Sequence, residues 1–194
     1  DMALAEERAR LLDATLARIP DDRARHADAC EAAAILAGQE DRLEDAIRGH
    51  REALELRLAG GAPLAADVFR SRANLAIVLS APGTTERQQQ QAAQQFELAL
   101  QESRAFHGDA HPRTAEVRIP YAQFLAETGD LAGAREQLRL ALPPNTRVDP
   151  RSRLATKGQM LAADLALLAD DWQTAYALAG TLLQARPCRC RRGC

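Results

Sequence analysis

Apolar residues return along this chain at spacings of three and four rather than in alternation. Between positions 43 and 54 they fall at Leu43, Ala46, Ile47, Ala53 and Leu54; between 131 and 142 they fall at Leu131, Ala134, Leu138, Ala141 and Leu142. That spacing gathers them on one face of an α-helix, so the chain is predicted to be a series of amphipathic helices. Turn residues divide the series. Gly38-Gln-Glu-Asp41, Pro82-Gly83-Thr84-Thr85, Thr128-Gly129-Asp130 and Asp170-Asp171 each separate a first helix from a second, with Asp or Thr placed to cap the second. Gly60-Gly61-Ala-Pro63, Gly108-Asp109-Ala-His-Pro112 and Pro143 to Pro150 then close each pair of helices. Pro112 and Pro150 suit a first helical turn, where a missing N–H costs nothing.

The pairs repeat. A small residue recurs at Ala46, Ala92, Ala134 and Ala175, in steps of 46, 42 and 41, and Leu54, Leu100, Leu142 and Leu183 keep the same steps. Two positions in one register across four units define a repeat array, in which each unit buries its apolar face against its neighbours. The long first step is assigned to Ala81-Pro-Gly-Thr-Thr85, which lengthens the link between two helices by about four residues, an insertion of low entropic cost. The expected fold is all-α, a right-handed α-α superhelix (solenoid) of helix-turn-helix repeats. Its four pairs cover about 21–62, 63–108, 109–148 and 149–187. Residues 1–20 read as the second helix of an upstream repeat ending at Pro20, which would expose an apolar face on residues 4–16 and give the chain a route to self-association.

Composition agrees with helices. Hydrophobic residues make up 46% of the chain but aromatics only 4%, a balance that favours Ala- and Leu-packed helices over sheet. Net charge is −2, and with Arg189, Arg191 and Arg192 set aside the rest holds 22 basic against 27 acidic residues. No continuous basic stripe is present to neutralise phosphates, which argues against nucleic acid as partner. No apolar run approaches the ~18 residues of a membrane helix and no signal pattern opens the chain, so a cytoplasmic protein is expected. Residues 188–194 carry Cys188, Cys190 and Cys194 among arginines and read as a disordered tail, with a thiolate metal site or redox pairing as the alternatives.

Catalytic motifs are missing. There is no P-loop, no Gly-x-Ser-x-Gly elbow, no His-Glu-x-x-His and no dinucleotide-binding glycine pattern, so no enzyme activity and no cofactor are expected. His107 with His111, and His26 with Cys30, are the pairs nearest to a metal-ligand spacing. Neither has two further ligands close in sequence, and no metal is assigned.

The segment from Asp109 to Leu142 resembles a tetratricopeptide repeat, in particular the form of roughly 42 residues seen in kinesin light chains and many bacterial regulators. The resemblance covers most of residues 21–187. It rests on Gly108-Asp-Ala-His-Pro112, on the first-helix pairs Ala33-Ala34, Leu75-Ala76, Tyr121-Ala122 and Ala162-Ala163, and on the Gly129-Asp-Leu131 turn. Ala92 with Phe96, Ala134 with Leu138 and the closing Pro187 complete it. Departures are Asp41 and Asp170 in place of a turn glycine, His50 in place of a bulky apolar residue, and Pro120 inside a first helix, where it should bend the helix or cost ~3 kcal/mol.

The resemblance implies a concave groove lined by first helices, and its alignment places Asp28, Glu31, Ile35, Arg70, Asn74, Ile77, Glu116, Gln123, Lys157, Met160 and Asp164 on that face. Arg70, Asn74, Ile77, Gln123, Lys157 and Met160 are the candidate partner-binding residues. Asn74 is the sharpest, because related repeats use an asparagine there to hold a peptide backbone and an amide both donates and accepts. Arg70, one turn earlier, would hold an acidic group of the same peptide. The structural alternative is that Asn74 satisfies a neighbouring group of its own chain and Arg70 is a solvated charge. The implied function is a scaffold that binds a protein or peptide partner. The competing reading is the regulatory or sensory region of a larger bacterial signalling protein, a serine/threonine kinase or a transcriptional activator, whose catalytic or DNA-binding part lies outside this chain.

Overall fold

The computed structural model describes residues 22–60, 65–142 and 152–185, together with 7, 10, 11 and 14. The expected disordered tail, most of the helix expected within residues 1–20 and the link from Pro143 to Pro150 lie outside the described residues. Glu7, Arg10, Leu11 and Ala14 are helical and exposed. The other described residues form eight helices and no strand: α1 Arg23–Gln39, α2 Leu43–Ala59, α3 Ala65–Leu79, α4 Glu86–His107, α5 Pro112–Glu127, α6 Leu131–Ala141, α7 Arg153–Leu167 and α8 Trp172–Ala185. Among the described residues no helix is long and apolar enough to cross a membrane. The fold is an all-α solenoid of antiparallel helix pairs.

Two compact units divide the chain, Asp1–Phe106 and His107–Cys194. In the first, α1 packs on α2 and α2 on α3. In the second, α5 packs on α6, α7 rests on both, and α8 packs on α7. Close approach depends on the small residues. A Cβ built on Gly49 would stand 3.0 Å from Cβ of Ala34 and 3.2 Å from the Cys30 carbonyl, so α1 and α2 meet closely enough that any larger residue would push its neighbours by a few tenths of an ångström. Ala115, Ile119, Ala122, Ala134, Leu138, Ala141, Ala155 and Leu165 form the core of the second unit.

The helix ends obey the predicted chemistry. Side-chain oxygens of Asp22, Asp130, Ser152 and Asp171 accept from the backbone N–H three residues on, at 2.9 to 3.1 Å. Thr85 and Gln88 cap α4 reciprocally: the Thr85 N–H donates to Gln88 Oε1 at 2.8 Å, and the Gln88 N–H donates to Thr85 Oγ1 at 3.3 Å. The turn within each pair holds one left-handed residue, Asp41 (φ 58°), Gly83 (φ 89°), Gly129 (φ 94°) and Asp170 (φ 56°). Aspartate replaces glycine at two of these because it tolerates that conformation better than most side chains.

One sequence expectation changes in detail. The link of the second repeat is longer, as expected, but not by the full four residues: 80–85 separate α3 from α4, six residues against three at 40–42, three at 128–130 and four at 168–171. Gln89 aligns with Leu43, Leu131 and Trp172, the first residues of α2, α6 and α8, whereas α4 already begins at Glu86. Helix α4 thus also starts about one turn early in register, and the Thr85–Gln88 cap stabilises that added turn. Pro120 lies inside α5, which is nevertheless helical from Pro112 to Glu127.

A cross-helix bond also recurs in register. Arg72 on α3 donates to Gln95 on α4 at 3.0 Å, and Arg118 on α5 donates to Gln137 on α6 at 2.6 Å. Glu102 on α4 completes the first, accepting from Arg72 Nε at 2.9 Å. Asp109 completes the second.

Candidate functional site

On α1, Asp28, Glu31 and Ile35 are spaced by three and four; on α3, Arg70, Asn74 and Ile77 are spaced by four and three. Each set therefore lies on one helix face, and α2 supplies the group that ties the two faces together. Arg57, whose side chain is 1% exposed, sends Nη2 to Asp28 Oδ1 at 2.6 Å and Nη1 to Glu31 Oε2 at 2.5 Å, and also donates to the hydroxyl of buried Ser71 on α3. One guanidinium thus links three helices, as its planar fork of donors allows.

Around this anchor stand the sequence-predicted residues. Asn74 Nδ2 donates to Glu31 Oε1, so its amide satisfies a side chain of its own chain. Arg70 is half-exposed among three carboxylates: Nη2 is 3.4 Å from Asp67 Oδ1 and 4.0 Å from Asp28 Oδ1, and Nε is 3.9 Å from Glu31 Oε1. That last separation is too long for a hydrogen bond, and Nε is buried without a partner. Beside this polar cluster, Ile35 and Ile77 are 47% and 44% exposed. The first unit thus presents two apolar side chains next to a polar cluster held by a buried cation.

The other candidates belong to the second unit. Gln123 on α5 donates to Glu127 one turn on at 2.8 Å, Glu116 pairs with Arg113 at 3.2 Å, and on α7 Lys157, Met160 and Asp164 are exposed. Among the described residues the fold brings Arg70, Asn74 and Ile77 together on α3, and places Gln123 on α5 and Lys157 with Met160 on α7 of the other unit.

Arg57 is absent from the residues singled out by sequence. Its signal is a charge on an otherwise apolar stripe, three residues after Leu54 and seven after His50. Periodicity weighs the apolar members of such a row and does not mark an arginine within it as a buried ion.

His50 fills the slot that Phe96 and Leu138 occupy in the next two repeats, and all three are buried. Burial lowers its pKa below the ordinary 6.5; the Glu31 carboxylate acts against this shift and Arg57 adds to it. A histidine with a depressed folded-state pKa stabilises the fold above the unfolded-state value and loses that stability as pH falls. Thermal denaturation should therefore show a melting temperature that declines from about pH 6.5 downward, and the His50→Phe variant, which places the Phe96 side chain in this slot, should decline less steeply.

The sequence-level metal candidates are quiet in the structure. His107 and His111 stack with ring centroids 4.6 Å apart, and His111 Nδ1 already accepts from the Arg113 N–H at 3.1 Å as the cap of α5. Burial, with Glu52 adding to it, pushes the Cys30 thiol up, away from the thiolate a metal would need. Among the described residues no group of three or more His, Cys, Asp or Glu is placed to hold a metal ion.

No protein-family model matches the chain, and no curated sequence matches it. Solved structures do. The chain is similar in fold to BtubC (BKLC) from P. vanneervenii. The similarity to that crystal structure has a TM-score of 0.74 and covers 98% of this chain and 78% of BtubC, at 18% sequence identity. At that identity the likeness establishes architecture alone: a helical repeat fold of the tetratricopeptide type.

Proposed function

We propose that this chain is a protein-interaction scaffold built from tetratricopeptide-like repeats of the longer, kinesin-light-chain-like form, and that it takes a segment of a partner protein on the face shared by α1 and α3. The observation that carries the reading is the exposed pair Ile35 and Ile77 beside the cluster of Asp28, Glu31, Arg70 and Asn74. Arg57 holds this cluster from below, so the face is ordered before a partner arrives and little side-chain entropy is lost on binding. The apolar pair leads recognition. Arg70 already has three carboxylates within 4.0 Å, so an acidic ligand group gains little there, whereas an apolar side chain removes Ile35 and Ile77 from water. Arg70 and Asn74 then set the register of the segment through their polar edges.

Affinity capture from a lysate of the source organism tests this, with Arg70→Ala/Asn74→Ala and Ile35→Asp/Ile77→Asp double variants as controls and circular dichroism to verify the fold. A protein retained by the wild type and lost from both variants is the expected result. Capture undiminished in both folded variants would sink the proposal. Capture of nothing specific would favour the other reading, in which the repeats act on the remainder of a larger signalling polypeptide.

A further inference from the structure

A second site lies in the first unit, on the other side of α3 from Arg70 and Ile77. Leu75 and Leu79 fall roughly half a turn around α3 from that pair, and they form the buried floor of a cleft of about 590 Å³ whose walls are α2 and α4. Arg51 stands on one wall; Arg87, Gln91, Gln94 and Gln95 stand on the other. Five other arginines of this unit, Arg42, Arg48, Arg57, Arg70 and Arg72, each pair with an aspartate or glutamate. Arg51 meets a neutral acceptor instead, giving Nη2 to Gln91 Oε1 at 3.1 Å, and Arg87 forms no ion pair among the described residues.

The amides are turned to the same chemistry. A guanidinium can only donate, so a glutamine bonded to one presents its oxygen there and keeps its nitrogen for another partner. Gln91 Oε1 is taken by Arg51, and Gln95 Oε1 by Arg72 at 3.0 Å. Among the described residues nothing accepts from the Nε2 of either. Gln91 lies one helical turn after Arg87 and one before Gln95, so these side chains are neighbours along α4. The cleft thus gathers two cations and two amide donors with no acceptor of their own charge class.

We propose that this cleft binds a small multivalent oxyanion, a molecule with two or more phosphate or carboxylate groups. Spare donors suit a ligand made of acceptors, and guanidinium groups hold phosphate and carboxylate in bidentate pairs. A lone phosphate would leave most of the cleft unfilled, whereas sites for small molecules occupy about 300–1,000 Å³. Glu44, which accepts from Gln88 Nε2 at 3.5 Å, stands where α4 begins and repels an anion at that end. The ligand is therefore drawn toward Arg51, Gln91 and Gln95.

Calorimetric titration of the full chain with tripolyphosphate and with citrate, at fixed pH and ionic strength, tests this. Saturable binding of at least one at a single site is expected, and the tighter of the two tells phosphate from carboxylate. Affinity should fall at least about tenfold, ~1.4 kcal/mol, in Arg51→Gln/Arg87→Gln and in Gln91→Glu, which supplies the arginines with a carboxylate from within the chain. Arg113→Gln/Arg139→Gln removes the same charge from the other unit and should bind as the wild type does. All four arginines are exposed, so both double variants should keep the wild-type circular dichroism. Absence of saturable binding to the wild type would overturn the proposal. Undiminished affinity in Arg51→Gln/Arg87→Gln would overturn it, and so would an equal loss in the two double variants, because net charge alone would then attract the anion. None of these substitutions touches the α1/α3 face, so capture of a partner there should be unchanged.

Discussion

Replacing Arg57 by methionine should lower the free energy of unfolding by about 3–5 kcal/mol in urea denaturation, the cost of leaving a buried charge without its partner. Glu31 is buried, and its two oxygens are held by Arg57 and by the Asn74 amide. Without the guanidinium the carboxylate keeps only one neutral donor, and Asp28 and Ser71 lose the group that joins α1 to α3. The pair as a whole is a different matter, since a buried ion pair replaced entirely by apolar side chains is often neutral in stability. Combining Arg57→Met with Glu31→Leu should therefore recover most of the loss. If the single variant unfolds at the wild-type urea concentration, Arg57 does not anchor this cluster. If the double variant is stable but no longer captures a partner, the ion cluster serves to order the binding face more than to hold the fold.

Phe96→Ala is expected to cost about 3–5 kcal/mol by the same measurement, the range for removing a buried aromatic ring and leaving a cavity. Phe96 is 0% exposed on α4, flanked by fully buried Ala92 and Ala99, and neighbours this small offer little side chain with which to refill the space. Phe96→Leu should cost less than about 1.5 kcal/mol, because the third repeat fills the equivalent position with Leu138. A loss below about 1 kcal/mol for the alanine variant would mean that the seam between successive repeats is not filled at this residue.

Much of the architecture was legible because a repeat states its own geometry several times over. Ala46, Ala92, Ala134 and Ala175 are all buried, and the turn signals lie where four left-handed residues stand. Local rules sufficed for the caps at Asp130 and Asp171, since a cap involves a residue and its own backbone three positions away. The added helical turn of α4 was not legible, because four extra residues have the same length in sequence whether they coil or extend. The binding face was legible by position and not by chemistry. Arg70, Asn74 and Ile77 could be placed on one side of α3 from their spacing, but that Asn74 donates to Glu31, 43 residues earlier, could not.

Periodicity, and contacts between residues near in the chain, are enough to set the helices, their pairing and the register of the repeats. Packing across the fold settles the rest: which charges are buried, which polar side chains are already satisfied within the chain, and which apolar positions remain open. Arg57 and Tyr176 show why. An arginine on an apolar stripe lies buried because Asp28, Glu31 and Ser71 converge on it from two other helices, whereas a tyrosine in the register of buried Ile47 stands exposed because no described helix crosses it. Burial belongs to the neighbours a residue meets in space, and those stand at separations along the chain that periodicity does not encode.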